Sequence, residues 1–86
     1  DALLGRADRI LRSYEAVGDR QIRIRDLTAD DCARLSEARA KNAAGNHRAA
    51  EVWASFSRRL RRGKLKNVAS LPKAEFMKLY RRLNDE

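Results

Sequence analysis

Between His47 and Arg62 the chain reads HRAAEVWASFSRRLRR, and Ala49, Val52, Trp53, Phe56 and Leu60 recur there at helical spacing. An extended chain would put the neighbours Val52 and Trp53 on opposite faces, whereas a 3.6-residue period gathers all five into one stripe. Arg48, Ser55, Arg58 and Arg62 then project from the other side. The pattern predicts a helix over residues 47–62 that buries its apolar stripe and ends at Gly63. Trp53 shares that stripe with Phe56 and Leu60, so it reads as core rather than as a ring offered to a ligand.

The remaining elements must cover this stripe. From Ala2 to Val17, Leu3, Ala7, Ile10, Tyr14 and Val17 alternate at steps of four and three, with Leu4 and Leu11 widening the face. This predicts a first helix over 2–17, with Asp1 as its N-cap and Gly18 as its stop. The segment DRQIRIRDL changes period, because Gln21, Arg23 and Arg25 alternate with Ile22 and Ile24, and residues 20–26 read as extended. Thr28 with Asp30 and Asp31 marks a helix start, predicting a second helix over 29–44 that breaks at Gly45. Ala33, Leu35, Ala38 and Ala40 carry little volume and suit close approach to a neighbour. After a connector whose Leu65 and Val68 can dock on the core, Ser70 and Pro72 open a fourth helix over 71–83. Its apolar face is Phe76, Leu79, Tyr80 and Leu83. The expectation is a mainly α, compact bundle of about four helices with one short extended segment, all within a single small domain of 86 residues.

Hydrophobic residues make up 43% and charged residues 37%, which fits a thin core inside a charged surface. A core this small favours self-association, and the regular first helix is the candidate homodimer seam. The chain has one Cys and one His, which exclude an intramolecular disulfide and a Cys/His zinc site. Cys32 sits beside Asp30 and Asp31, whose charges disfavour a thiolate, and His47 has no identifiable acid–base partner. No phosphate-cradling Gly-rich loop and no set-apart carboxylate pair is present. No catalytic residue, metal, cofactor or small-molecule substrate is therefore expected, and the chain does not read as an enzyme. No apolar run approaches membrane-spanning length and no signal-peptide core is present, so no membrane partner is expected. Cysteine usage points to an intracellular, reducing compartment, either the cytoplasm or the nucleoid or nucleus. The start on Asp1 without an initiator Met reads as an excised domain or a processed product.

Charge is unevenly distributed. The chain carries a formal +8, and the residues after Ser57 hold most of it. SRRLRRGKLK, Ser57–Lys66, contains Arg58, Arg59, Arg61, Arg62, Lys64 and Lys66 with no acid among them. A basic last turn complements the helix dipole, but that accounts for only one or two such charges. A cluster of mutually repelling cations is relieved by a polyanion, whose counterions it displaces. The expected function is therefore nucleic-acid binding, to DNA or RNA, through phosphates. The expected contacts are Arg48, Arg58, Arg59, Arg61, Arg62, Lys64, Lys66, Lys78, Arg81 and Arg82. No Asn or Gln stands at helical spacing among these arginines, so strong direct base readout is not expected. The alternative from another class is a helical protein–protein interaction module whose basic third docks an acidic partner.

One further reading concerns the alternating segment. Over Gln21–Arg62 the order is strand, helix, a break at Gly45, then the helix containing EVWASFSRRL. This order resembles the ribbon-helix-helix DNA-binding family, whose dimers lay a two-stranded ribbon in the major groove. The resemblance implies that Gln21, Arg23 and Arg25 face bases. It also implies that Ile22 and Ile24 face a dimer core and that the start of the third helix touches phosphate.

Overall fold

The computed structural model describes residues 2–41 and 47–83, with the side chains of 5–41 and 47–83. Its elements are α1 (Ala2–Arg12), β1 (Tyr14–Val17), β2 (Arg20–Arg23), α2 (Ala29–Lys41), α3 (His47–Gly63) and α4 (Lys73–Tyr80). Short 3-10 turns occupy Ile24–Asp26, Val68–Ser70 and Arg81–Leu83. The fold is mainly α, as expected.

The first helix is five residues shorter than its stripe predicts. It stops at Arg12, and Tyr14–Val17 instead pairs antiparallel with Arg20–Arg23, in the register Tyr14↔Arg23 to Val17↔Arg20. Gly18 and Asp19 form the two-residue turn. Gly18 has φ +66, the left-handed value that a type II′ turn requires at its first central position and that glycine alone adopts freely. Gly18 is thus a hairpin turn rather than a helix stop. The backbone N–H of Ile24 donates to the Ser13 carbonyl at 2.8 Å, which extends the ladder by one pair. Tyr14 and Val17, which share a helical face in the sequence pattern, part company in the strand. Val17 is buried, while Tyr14 stands exposed. The expected extended segment 20–26 is a strand for four residues and then a 3-10 turn whose Ile24 enters the core.

The expected second-helix cap is present. The Thr28 hydroxyl accepts from the Asp31 N–H at 3.2 Å, and the Asp31 carboxylate accepts from the Thr28 N–H at 3.1 Å. This reciprocal pair is a capping box with Asp in place of Glu. Helix α2 packs on α3 with Cys32 and Leu35 buried, and the Ser36 hydroxyl donates to the Ala50 carbonyl at 2.7 Å. Of the four small-volume residues expected at the close approach, Leu35 is buried and Ala33 half-buried, while Ala38 and Ala40 face outward. The predicted end of that helix and the break at Gly45 lie outside the described residues, as does Asp1.

Helix α3 follows its pattern closely. Val52, Trp53, Phe56 and Leu60 are buried and Ala49 is half-buried, whereas Arg48, Arg58 and Arg62 are exposed. Its C-terminus closes as a Schellman motif. The Leu65 N–H donates to the Leu60 carbonyl at 2.9 Å, and the Lys64 N–H donates to the Arg61 carbonyl at 3.2 Å. The left-handed residue is Lys64, at φ 54, rather than Gly63. A side chain at Gly63 would crowd Arg59 and Leu65. Val68 and Leu71 then reach the core, and the Val68 N–H donates to the Leu27 carbonyl at 2.9 Å.

The fourth helix begins at Lys73 rather than Leu71, because the residue before a proline is driven out of the α region; Leu71 has ψ 144. Pro72 takes the cap position, and no side chain caps the helix. Phe76 and Met77 are buried, while Leu79, Tyr80 and Leu83 are half-buried. Trp53, Phe56, Phe76 and Tyr80 form a continuous aromatic contact chain with centroid separations of 5.3–6.3 Å, which fixes α4 against α3.

Ala7 is fully buried, and Ile10 and Leu11 pack against the same core. Of the expected dimer seam, Ala7, Ile10, Leu11 and Val17 therefore pack on the chain's own core, while Tyr14 is exposed.

Candidate nucleic-acid interface

The candidate basic residues do not form one continuous field. Ser55, Arg58, Arg59 and Arg62 lie at i, i+3, i+4 and i+7 on α3, which aligns them along one stripe. Across from them α4 presents Glu75, Lys78 and Leu79. Together these seven residues line an open groove of about 450 Å³. Arg59, half-buried on the α3 side, makes a two-pronged ion pair with Glu75 that ties the helices together. Arg58 donates to the Ser55 hydroxyl at 3.2 Å. Among the described residues no carboxylate pairs with Arg58, Arg62 or Lys78. The groove thus holds four cations against one carboxylate, and that carboxylate is committed to the half-buried arginine.

The other candidates are placed elsewhere. Arg61 turns toward the start of α2 and pairs with Asp30 at 3.0 Å. Arg82 pairs with Glu51 at 2.9 Å, and both line a second cleft with His47 and Arg48. Lys64 and Lys66 are exposed on the connector after α3, and Arg81 is exposed in the last 3-10 turn. The bonds that Arg61 and Arg82 make are surface ion pairs, worth about 0–1 kcal/mol each. A polyanion could displace such partners at little cost.

The residues of the ribbon reading are also divided. Gln21 and Arg23 line a shallow concavity with Tyr14, Arg20, Ile22, Asp26 and Asp31. Arg25 lies in the 3-10 turn and lines a different cleft, with Asp8, Arg12 and Lys73. The strand has its partner inside the chain, and Ile24 is buried in the chain's own core. These are two departures from a ribbon shared between two copies. On the outer face the Arg23 Nε donates to the Tyr14 hydroxyl at 3.0 Å, and its guanidinium lies 5.5 Å from the ring centroid. Tyr14 is the one large hydrophobic residue exposed among the described residues.

The remaining single residues are Cys32 and His47. Cys32 is fully buried, and burial followed by the Asp31 charge pushes its thiol up to about 12, which leaves the thiolate absent at neutral pH. His47 is exposed at the first position of α3. Among the described residues no cluster of His, Cys, Asp or Glu is arranged to hold a metal ion, and no helix is long and apolar enough to cross a membrane. Comparison with protein-family models, with curated proteins and with solved structures found no match to this chain.

Proposed function

We propose that this chain binds nucleic acid through its phosphate backbone, using the groove between α3 and α4. The observation that carries this reading is the juxtaposition of Arg58, Arg62 and Lys78 from two helices around one concavity, with Arg59 beneath them. Arginine forks suit phosphate oxygens and lysine adds a compact charge. The aromatic contacts behind the groove hold the two helices at a set spacing, so the cations are pre-positioned rather than gathered on binding. Trp53 and Phe56 are fully committed to the core, and the contacts offered are polar and cationic. This is a surface for holding a backbone, with sequence readout secondary.

The test is affinity for a random-sequence duplex and a single strand across a salt series. Neutralising about four phosphates gives a log–log slope of about −3 to −4 on duplex DNA. The R58A/R62A/K78A variant loses most of the affinity and flattens the slope, with its helicity retained. Glu75→Gln releases Arg59 and strengthens binding. Absence of binding at low salt, or a slope near zero, would overturn the proposal in favour of an acidic protein partner.

A further inference from the structure

The fold gathers a second cationic site, and two of its three cations come from the nearly neutral first two-thirds of the chain. Arg12 at the end of α1, Arg25 in the 3-10 turn after β2, and Lys73 at the first position of α4 line one cleft. Asp8, Leu11 and Ala69 complete it, and its volume is about 260 Å³. Three elements far apart in sequence each contribute one cation. Among the described lining residues Asp8 is the only carboxylate, and it pairs with Lys73. Lys73 begins a helix that no side chain caps, so the partial positive charge of the helix start adds to that of its own side chain.

We propose that this cleft is a second phosphate-binding site, separate from the α3–α4 groove, in which Arg12, Arg25 and Lys73 take one phosphate group. The phosphate comes either from the backbone of the nucleic acid or from a small phosphorylated molecule. Only the first source rests on the function proposed above. The two sites share no lining residue. Asp8 reports the field: the Lys73 hydrogen bond first, and then the charges of Lys73, Arg12 and Arg25, hold its carboxyl below the usual carboxylate range. Its side chain remains 43% exposed, so an incoming phosphate can displace it without unburying a charge. Inorganic phosphate or a phosphomonoester offers these cations more charge and more acceptor oxygens than one carboxylate does, whereas a backbone diester brings a single charge and two free oxygens.

The experiment is a titration of the full chain with inorganic phosphate at low salt, followed by NMR at the Ala69 amide and at the Nε–H groups of Arg12 and Arg25. It is repeated with a short duplex on the R58A/R62A/K78A variant. The expected result is saturable movement of these signals with phosphate, with the Ala69 movement lost in R12Q/R25Q, and residual duplex binding by the groove variant that moves the same signals. Asp8→Asn, which removes the competing carboxylate, tightens phosphate binding by roughly threefold or more. If Asp8 served only to tie α1 to α4, Asp8→Asn would lower stability and leave phosphate affinity unchanged, and that result overturns the inference. So does phosphate that leaves the three signals still. Phosphate binding here in a chain that binds no duplex would support the site with a small-molecule source and sink the nucleic-acid reading alone. Duplex binding abolished by the groove variant, with no phosphate response in the cleft, would sink this inference alone.

Discussion

Residues 2–17 and residues 47–63 carry apolar stripes of similar spacing, but they fold differently. The second stretch is one helix from His47 to Gly63, whereas the first is a helix only to Arg12 and then a strand. The difference lies in the residues just beyond each stripe and in how much the stripe can bury. In α3 four of the five stripe residues, Val52, Trp53, Phe56 and Leu60, are buried in one aromatic-lined core, and the signal that ends the helix comes after them. In the first stretch the last two stripe residues, Tyr14 and Val17, have side chains suited to strands, and Gly18-Asp19 is a hairpin turn opposite the alternating RQIR. A helical period therefore competes with a turn signal. The turn prevails when a second strand stands ready two residues later.

Substitutions in the two stretches put this contrast to the test. Phe56→Ala, in the middle of the α3 stripe, is expected to cost about 3–5 kcal/mol, because it opens a cavity at the centre of the aromatic chain. Tyr14→Ala, at a matching stripe position but exposed, should cost less than about 1 kcal/mol. Chemical denaturation of the two variants measures both, and equal losses would mean that Tyr14 is packed as a helical residue. Gly18→Ala meets open space, yet the left-handed backbone remains; it should destabilise by about 1–2 kcal/mol. The same change at Gly5, inside α1 with nothing near its missing side chain, should instead stabilise by about 0.5–1 kcal/mol. Thermal unfolding of these two glycine variants must show shifts of opposite sign, and a stabilised Gly18→Ala would mean that the backbone at Gly18 is not left-handed.

The legible and the illegible parts of the sequence divide along the same line. The α3 stripe and the Thr28 cap depend on neighbours in sequence, and each is found where its residues predict it. Arg58 and Arg62 were legible as one face because successive turns of a single helix present them. Lys78 joins that face only through the angle at which Phe76 and Tyr80 pack α4 against Trp53 and Phe56. No local pattern encodes that angle. The pairing of Arg59 with Glu75, of Arg61 with Asp30 and of Arg82 with Glu51 also depends on tertiary approach. These contacts divide a charge run of uniform appearance into bonded and unbonded members. The cleft of Arg12, Arg25 and Lys73 was not legible at all, because each of its cations lies in a different element. The hairpin has its signals in the sequence, in the Gly-Asp dipeptide and the alternating strand after it, but the helical period of residues 2–17 runs over them.

If the α3–α4 groove is where a phosphate backbone is held, an amide-resolved NMR titration of the chain with a short random-sequence duplex will locate it. The largest movements should cluster at Ser55, Arg58, Arg59, Arg62, Lys78 and Leu79. Movements confined to Gln21, Arg23 and the rest of the hairpin, with the groove unmoved, would contradict it.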